Sequence, residues 1–172
     1  MHALLSELDA VPKIGVEVGV YRGRMSRRLL SDPTIFLFMV DSWQAAGEAD
    51  SYCTTDDHIA RFTQEEHDAA MNEALDAVSE FPGRYKVLRM PSVEAAKQFK
   101  DGSLDFVFLD ADHSYEAVRA DIAAWWPKVR LRGVLGGHDY RDERNFGVIR
   151  AVGEAFDAVR LGGNHTWFVT RE

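Results

Sequence analysis

The chain has 172 residues with a formal net charge of −8, and this length is typical of one compact domain, so we predict a single domain over residues 1–172. The negative charge argues against a nucleic-acid partner, because a phosphate backbone needs a positively charged surface. With one cysteine, a short acidic segment at Met1–Ala10 and no apolar run near the roughly 20 residues of a membrane span, we expect a cytoplasmic protein without a membrane partner.

Strand-like and helix-like patterns alternate along the chain. In chain order we predict strand Lys13–Val18, helix Arg24–Leu30, strand Ile35–Val40, a long helix from about His58 to Glu80, strand Lys86–Arg89, helix Val93–Phe99, strand Leu104–Leu109, helix Tyr115–Trp126, strand Gly133–Gly137 and a helix from about Phe146 to Phe156. A polar insertion, Gln44–Asp57, precedes the long helix, and we expect residues 44–80 to form a lid with its helix. The acidic pair Asp56-Asp57 is expected on a hydrated face.

Two short runs at the end of the chain, Ala158–Leu161 and Thr166–Thr170, flank Gly162-Gly163-Asn164 and predict a hairpin. Five strand–helix repeats followed by a hairpin predict an α/β fold with a mostly parallel sheet. The run Leu104–Leu109 is almost wholly apolar, which is typical of a strand covered by helices on both faces. Ligands of such sheets bind at the carboxyl ends of the strands, so the residues directly after each strand are the site candidates.

A glycine turn follows the first strand, in the segment Ile14–Gly23. The second strand ends about 20 residues later on Asp41, where a carboxylate would accept hydrogen bonds from the ribose hydroxyls of a nucleoside. The spacing Glu17-x-Gly19-x-x-x-Gly23 lacks the three glycines of a dinucleotide turn, and Glu17 would repel a pyrophosphate. A cationic amino-acid ligand tolerates that carboxylate.

The run Glu-Val-Gly-Val-Tyr-Arg-Gly at 17–23 resembles the first motif of class I S-adenosylmethionine-dependent methyltransferases, closest to the metal-assisted O-methyltransferases of the catechol and macrolide sugar types. The resemblance extends over most of the chain. It implies a Rossmann-like, mostly parallel seven-stranded sheet with helices on both faces and a C-terminal antiparallel hairpin. It also implies that S-adenosylmethionine contacts Glu17, Gly19, Tyr21, Gly23, Ser26, Asp41, Ser42, Trp43, Ser92 and Asp110. Among these, Ser26 stands for the family's serine that binds the methionine carboxylate, because Met25 occupies that serine's own position.

Four of these residues also have simpler interpretations. Asp41 is a helix cap or turn acid in the simpler reading, and Gly19 and Gly23 then serve a tight turn and close helix packing. Trp43 either lies against the adenine or belongs to the core or the lid.

Asp110 follows the fourth strand and Asp139 follows the fifth. Neighbouring strands lie about 4.8 Å apart, so the two carboxylates converge, and a divalent cation such as Mg²⁺ between them would relieve their repulsion. His113 has the right chemistry to take a proton near neutral pH. The resemblance to macrolide sugar O-methyltransferases likewise implies Asp110 and Asp139 as metal ligands and His113 as the base, with His138 in place of a carboxylate ligand. In the metal-free alternative, His113 or His138 acts alone as the base, or proximity suffices.

The resulting hypothesis is an S-adenosylmethionine-dependent O-methyltransferase whose acceptor is a small molecule, a sugar or an aromatic diol, with or without assistance from Mg²⁺. Such a small chain has little wall around an acceptor, so we expect a homodimer that supplies one. Two alternatives remain: a nicotinamide-dependent oxidoreductase and a protein that binds S-adenosylmethionine without catalysis.

Overall fold

The computed structural model describes residues 12–47 and 50–172. In this part of the chain the strands are β1 Lys13–Val18, β2 Ile35–Asp41, β3 Tyr85–Arg89, β4 Leu104–Leu109, β5 Val129–Gly137, β6 Arg160–Leu161 and β7 Trp167–Thr170. The α-helices are α1 Arg24–Leu30, α2 Gln64–Val78, α3 Ser92–Ala96, α4 Tyr115–Trp125 and α5 Val148–Ala155. The start of the predicted domain, residues 1–11, and residues 48–49 of the predicted lid lie outside the described residues.

The seven strands form one sheet in the order β3-β2-β1-β4-β5-β7-β6. Strands β1 to β5 are parallel, whereas β7 runs antiparallel to both β5 and β6. The predicted mostly parallel sheet with a C-terminal antiparallel hairpin is therefore confirmed. The strand order reverses between β1 and β4, which opens a crevice at the carboxyl ends of these two strands. Across the described residues, no helix is both long and apolar enough to cross a membrane.

Alternating side chains of β4 enter the two halves of the core, as the pleat of a strand requires. Phe106 and Phe108 pack with the apolar residues of α1 and α2. Val107 and Leu109 pack on the opposite face with α3, α4 and α5. All six residues of β4 are buried, so the prediction of a strand covered on both faces is confirmed.

The long helix α2 begins at Gln64, six residues later than predicted from the sequence. Thr63 fixes this start, because its hydroxyl accepts a hydrogen bond from the backbone N–H of Glu66 while the Glu66 carboxylate accepts one from the backbone of Thr63. Two single turns of 3-10 helix precede α2, one in the insertion at Ser51–Thr54 and one directly after the insertion at His58–Arg61. The predicted continuous helix from His58 is therefore wrong.

Other boundaries also differ from the prediction. Strand β5 begins at Val129 rather than Gly133, because Val129 is buried and pairs with Leu104 before a register shift in the β4–β5 ladder. Helix α5 begins after Gly147, whose backbone N–H donates to the carbonyl of His113. Helix α3 and both hairpin strands are shorter than predicted.

Candidate active site

A cavity of about 770 Å³ opens at the carboxyl ends of the parallel strands. Its wall brings together most of the residues predicted from the sequence: Glu17, Gly19, Tyr21, Asp41, Ser42, Trp43, Ser92, Asp110, His113, His138 and Asp139. Residues of the predicted lid segment, including Gln44–Gly47 and Asp57–Ile59, also form part of the wall.

Two predicted cofactor contacts are not on this wall. The hydroxyl of Ser26 is fully buried and donates to the carboxylate of Glu17 at 2.5 Å, and Ser26 is not among the residues that line the cavity. Gly23 has a φ of 73° and packs against α2, where an added Cβ would lie 2.9 Å from Cα of Ala74. The simpler interpretation therefore holds for Gly23: it permits a left-handed turn and close helix packing.

Gly19 brings the glycine turn against the end of β4. Its φ is 86°, and a Cβ added there would lie 2.1 Å from the carbonyl oxygen of Asp110. A side chain is therefore excluded by both conformation and space. Beside it, burial raises the pKa of Glu17 well above its usual value, although the hydrogen bond from Ser26 opposes that rise.

Asp41 orders the glycine turn in addition to facing the cavity. Its Oδ2 accepts hydrogen bonds from the backbone N–H groups of Val20 and Tyr21, both at 2.9 Å, and its Oδ1 accepts one from Trp43 at 2.8 Å. A carboxylate has about four acceptor positions, so capacity for about one more donor remains. Asp41 therefore does stabilise the turn, as the simpler interpretation has it. In this conformation its carboxylate has one acceptor position left, which is enough for a single ribose hydroxyl.

The ring of Trp43 belongs to the core. The side chain is 1% exposed, packs in the cluster that includes Val20 and Phe108, and donates its Nε1–H to the carbonyl of Tyr21 at 2.9 Å. Of the two interpretations of Trp43, the core aromatic describes this structure. Its backbone carbonyl in turn accepts a hydrogen bond from Gln64 at the start of α2.

The wall of the same cavity contains an imidazole surrounded by acids. His113 Nε2 lies 3.4 Å from Asp110 Oδ1 and 3.1 Å from Asp139 Oδ2, and its Nδ1 lies 3.1 Å from Asp57 Oδ2. The ring packs on Phe146 with centroids 4.6 Å apart. Burial lowers the pKa of His113, but the hydrogen bonds and charges of the surrounding acids outweigh it and raise this pKa to about 9.

The two predicted acids are close enough to share a cation. Among the described residues, Asp110, His113 and Asp139 each offer one ligand atom, and these atoms lie within 4.8 Å of one another. The Oδ1 atom of Asp139 is buried and makes no hydrogen bond of good geometry within the described part of the chain. It does lie 2.5 Å from Arg141 Nη2 in an ion pair. This donor set fits a divalent cation, because its carboxylate oxygens suit Mg²⁺.

His138 is less well placed as a metal ligand than the sequence indicates. Its Nδ1 lies 3.2 Å from Asp139 Oδ2 but 3.7 Å from Asp110 Oδ1, and its Nε2 faces the side-chain amide of Asn164. The hydrogen bond with Asp139 raises the pKa of His138. The histidine in the close group with Asp110 and Asp139 is thus His113 rather than His138.

The sequence-based reasoning missed two buried acids on the wall. Asp57, expected on a hydrated face, is 5% exposed and accepts a hydrogen bond from Tyr52 Oη at 3.0 Å. Asp121, on α4, accepts a hydrogen bond from Ser92 Oγ, and burial raises its pKa to about 7. A signal for Asp121 existed, because it shares a helical face with Val118, Ile122 and Trp125. The polar insertion around Asp57 carries no such periodicity.

Comparisons with solved structures show the same fold at low sequence identity. The chain is similar to the calicheamicin methyltransferase CalS11, with a TM-score of 0.70 and 17% identity over 98% of this chain and 76% of that one. It is also similar to the O-methyltransferase NovP, with a TM-score of 0.66 and 19% identity over 94% of this chain and 72% of NovP. Spermidine synthase from Thermotoga maritima gives a TM-score of 0.62 and 14% identity over 98% of this chain and 56% of the synthase chain.

Comparisons of sequence identify the family. An uncharacterized protein, y4gI, of Sinorhizobium fredii is 31% identical over 113 residues, which are 64% of this chain and 11% of that protein. The chain thus spans about a tenth of the length of this relative. The pattern that defines a family described as "Methyltransferase domain" matches residues 16–140. Because that match covers most of the chain, the protein belongs to this methyltransferase domain family.

Proposed function

We propose that the chain transfers a methyl group from S-adenosylmethionine to a hydroxyl of a small molecule. The observation that carries the proposal is one cavity whose wall includes both Glu17, Gly19 and Asp41 around the glycine turn and the imidazole of His113. A nucleoside cofactor on the glycine turn would present its reactive group to that imidazole as the proton acceptor. Membership of the methyltransferase domain family supports this assignment.

Bound S-adenosylmethionine supplies a sulfonium whose methyl carbon is already electrophilic, so the protein has to align the acceptor and remove its proton. Glu17 and Asp41 offer carboxylates to the amino group and to a ribose hydroxyl of the cofactor. The acceptor oxygen forms a bond to the methyl carbon as the carbon–sulfur bond breaks. The hydroxyl proton passes to Nε2 of His113, and the products are a methyl ether and S-adenosylhomocysteine.

A divalent cation is the second part of the proposal. Asp110 and Asp139 would hold it, and it would lower the pKa of the acceptor hydroxyl. Its charge would also offset the acids that keep the imidazole of His113 protonated. His138, at the edge of the group, is the base in the variant of the proposal that needs no metal.

A sugar hydroxyl is the acceptor class with the most support. A structural neighbour, CalS11, is a TDP-rhamnose 3′-O-methyltransferase, and NovP is an O-methyltransferase. An aromatic diol is the second acceptor class. A homodimer that completes the acceptor wall and a cytoplasmic location stay predictions.

An acceptor screen tests the function. Nucleotide sugars and aromatic diols are incubated with the protein and S-adenosylmethionine, and the release of S-adenosylhomocysteine is measured. We expect release with at least one acceptor, a loss of about 100-fold or more in His113→Ala, and unchanged release in His165→Asn, which changes an exposed imidazole that is not part of the cavity wall. Cofactor binding without release from any acceptor favours a non-catalytic binder.

A further inference from the structure

The side chain of Asp57 links the insertion to the proposed base. The residue lies between the two 3-10 turns and is buried. Its Oδ1 accepts the backbone N–H of Ile59 at 3.1 Å, and its Oδ2 accepts the hydroxyl of Tyr52 at 3.0 Å. These two hydrogen bonds fix the orientation of the carboxylate before any contact with His113 is counted.

The contact with His113 determines which ring nitrogen carries a proton. Oδ2 of Asp57 lies 3.1 Å from Nδ1 of His113, and an ionised carboxylate can only accept hydrogen bonds. Both other partners of this carboxylate, the Ile59 backbone N–H and the Tyr52 hydroxyl, also donate to it. Nδ1 must therefore be the donor, and Nε2 is left facing Asp110 and Asp139.

The geometry points to Asp57 as the positioning residue of the base: its carboxylate holds a proton on Nδ1 of His113 and directs Nε2 to the acid pair. This inference rests on the proposed function for the role of His113. It adds that the insertion supplies part of the proton-transfer apparatus, so the base is correctly oriented only when the insertion is folded onto the cavity. The ring of Phe146 packs against the same imidazole, with centroids 4.6 Å apart.

Neighbouring contacts provide a matched control. Asp56 is exposed, and its carboxylate accepts a hydrogen bond from the side-chain amide of Asn145 at 3.3 Å. It therefore helps to hold the same segment without touching His113. A change at Asp56 tests the segment, whereas a change at Asp57 tests the segment and the hydrogen bond to the ring.

Proton NMR of the full chain labelled with ¹⁵N-histidine tests the inference directly. We expect an exchange-protected proton bonded to Nδ1 of His113, identified by its loss in His113→Gln, at pH values both below and above the titration of the ring. That signal should persist in Asp56→Ala, be lost in Asp57→Ala and return in Asp57→Asn, whose amide oxygen still accepts. A wild-type ring protonated on Nε2 alone, or a signal that persists in Asp57→Ala, would overturn the inference.

The measurement needs no cofactor and no acceptor. An Nδ1 proton that depends on Asp57, in a protein that fails to bind S-adenosylhomocysteine, would contradict the proposed function while the orientation of the ring stands. Cofactor binding with an Nδ1 proton that is independent of Asp57 would contradict the role of Asp57 alone. A preserved backbone amide spectrum of Asp57→Ala shows that the variant is folded.

Discussion

Single residues set the shape of the cavity beside the glycine turn, and Gly19 is the most constrained of them. Its left-handed φ and the 2.1 Å approach of a built Cβ to the Asp110 carbonyl leave no room for a side chain. We expect Gly19→Ala to lower the free energy of unfolding by about 3 kcal/mol and to abolish S-adenosylhomocysteine binding. Urea unfolding and calorimetry measure both effects. Gly163→Ala, where a Cβ meets nothing within 4 Å, is the control, and equal behaviour of the two variants would contradict the assignment.

The buried carboxyl of Asp121 predicts a pH dependence of stability. Burial is the main cause that raises its folded pKa from 3.8 to about 7; Ser92 opposes this rise and the charge of Asp112 adds to it. Between these values the folded state holds a proton that the unfolded state releases, so stability falls as pH rises through this range. Asp121→Asn should therefore stabilise the protein at about pH 8, by up to about 4 kcal/mol, and by much less at about pH 4.

Urea unfolding of the cofactor-free protein at both pH values checks this prediction. Glu116→Gln removes an exposed acid from the same helix and should leave the pH dependence unchanged. A gain for Asp121→Asn that is the same at both pH values would mean that ionisation of Asp121 is not its cause.

The acid pair predicts a specific cation site. In calorimetric titration of the protein with Mg²⁺, Asp139→Asn should weaken binding by about 10-fold or more, because the buried Oδ1 and its partner oxygen lose their charge. Asp142→Asn, an exposed acid three positions later, should bind Mg²⁺ as the wild type does. Equal Mg²⁺ affinity in Asp139→Asn would remove the cation from the proposal.

The sequence predicts the site residues that directly follow strands but not those that reach the site from a distant part of the chain. Asp110 and Asp139 were predictable, because buried apolar runs fix where parallel strands end and which residues come next. Asp57 reaches His113 from a polar segment without periodicity, and such a contact leaves no pattern in the sequence. For Ser26 and Gly23, spacing alone did not distinguish a cavity wall from the packing behind it.

At the scale of elements, the strands were predicted more accurately than the helices. The boundaries of β1 and β4 match the prediction because their apolar runs end abruptly. The start of α2 depends on reciprocal hydrogen bonds between Thr63 and Glu66. The helical pattern of the sequence continues past this local start signal, so the predicted helix begins too early.

Helix α5 contains a glycine without a structural requirement. Gly153 is exposed in the helix, and a Cβ there meets nothing within 4 Å. Gly153→Ala should therefore stabilise the protein by about 0.5–1 kcal/mol through the lower entropy of its unfolded chain and better helix propensity. Gly147→Ala should instead destabilise it by about 1–3 kcal/mol, because its Cβ would lie 2.3 Å from Cα of Tyr115.

Thermal unfolding of the two variants at one protein concentration measures both changes. A rise in the melting temperature for Gly153→Ala together with a fall for Gly147→Ala is the expected pair. A loss of stability in Gly153→Ala would show that this position of α5 is more closely packed than the structure shows.

At the scale of the whole molecule, the fold alone does not determine the reaction. The fold of this chain is similar to those of two methyltransferases and of a spermidine synthase, all at low sequence identity. The proposed reaction depends instead on the cavity, whose wall combines a glycine turn ordered by Asp41 with an imidazole surrounded by acids.

The most direct test of the central claim is calorimetric titration of the purified chain with S-adenosylhomocysteine, with NAD as the competing ligand. The account predicts binding of S-adenosylhomocysteine at about micromolar Kd, weakened about 10-fold or more in Asp41→Ala, and no binding of NAD. Binding of NAD, or the absence of S-adenosylhomocysteine binding by the folded protein, would contradict it.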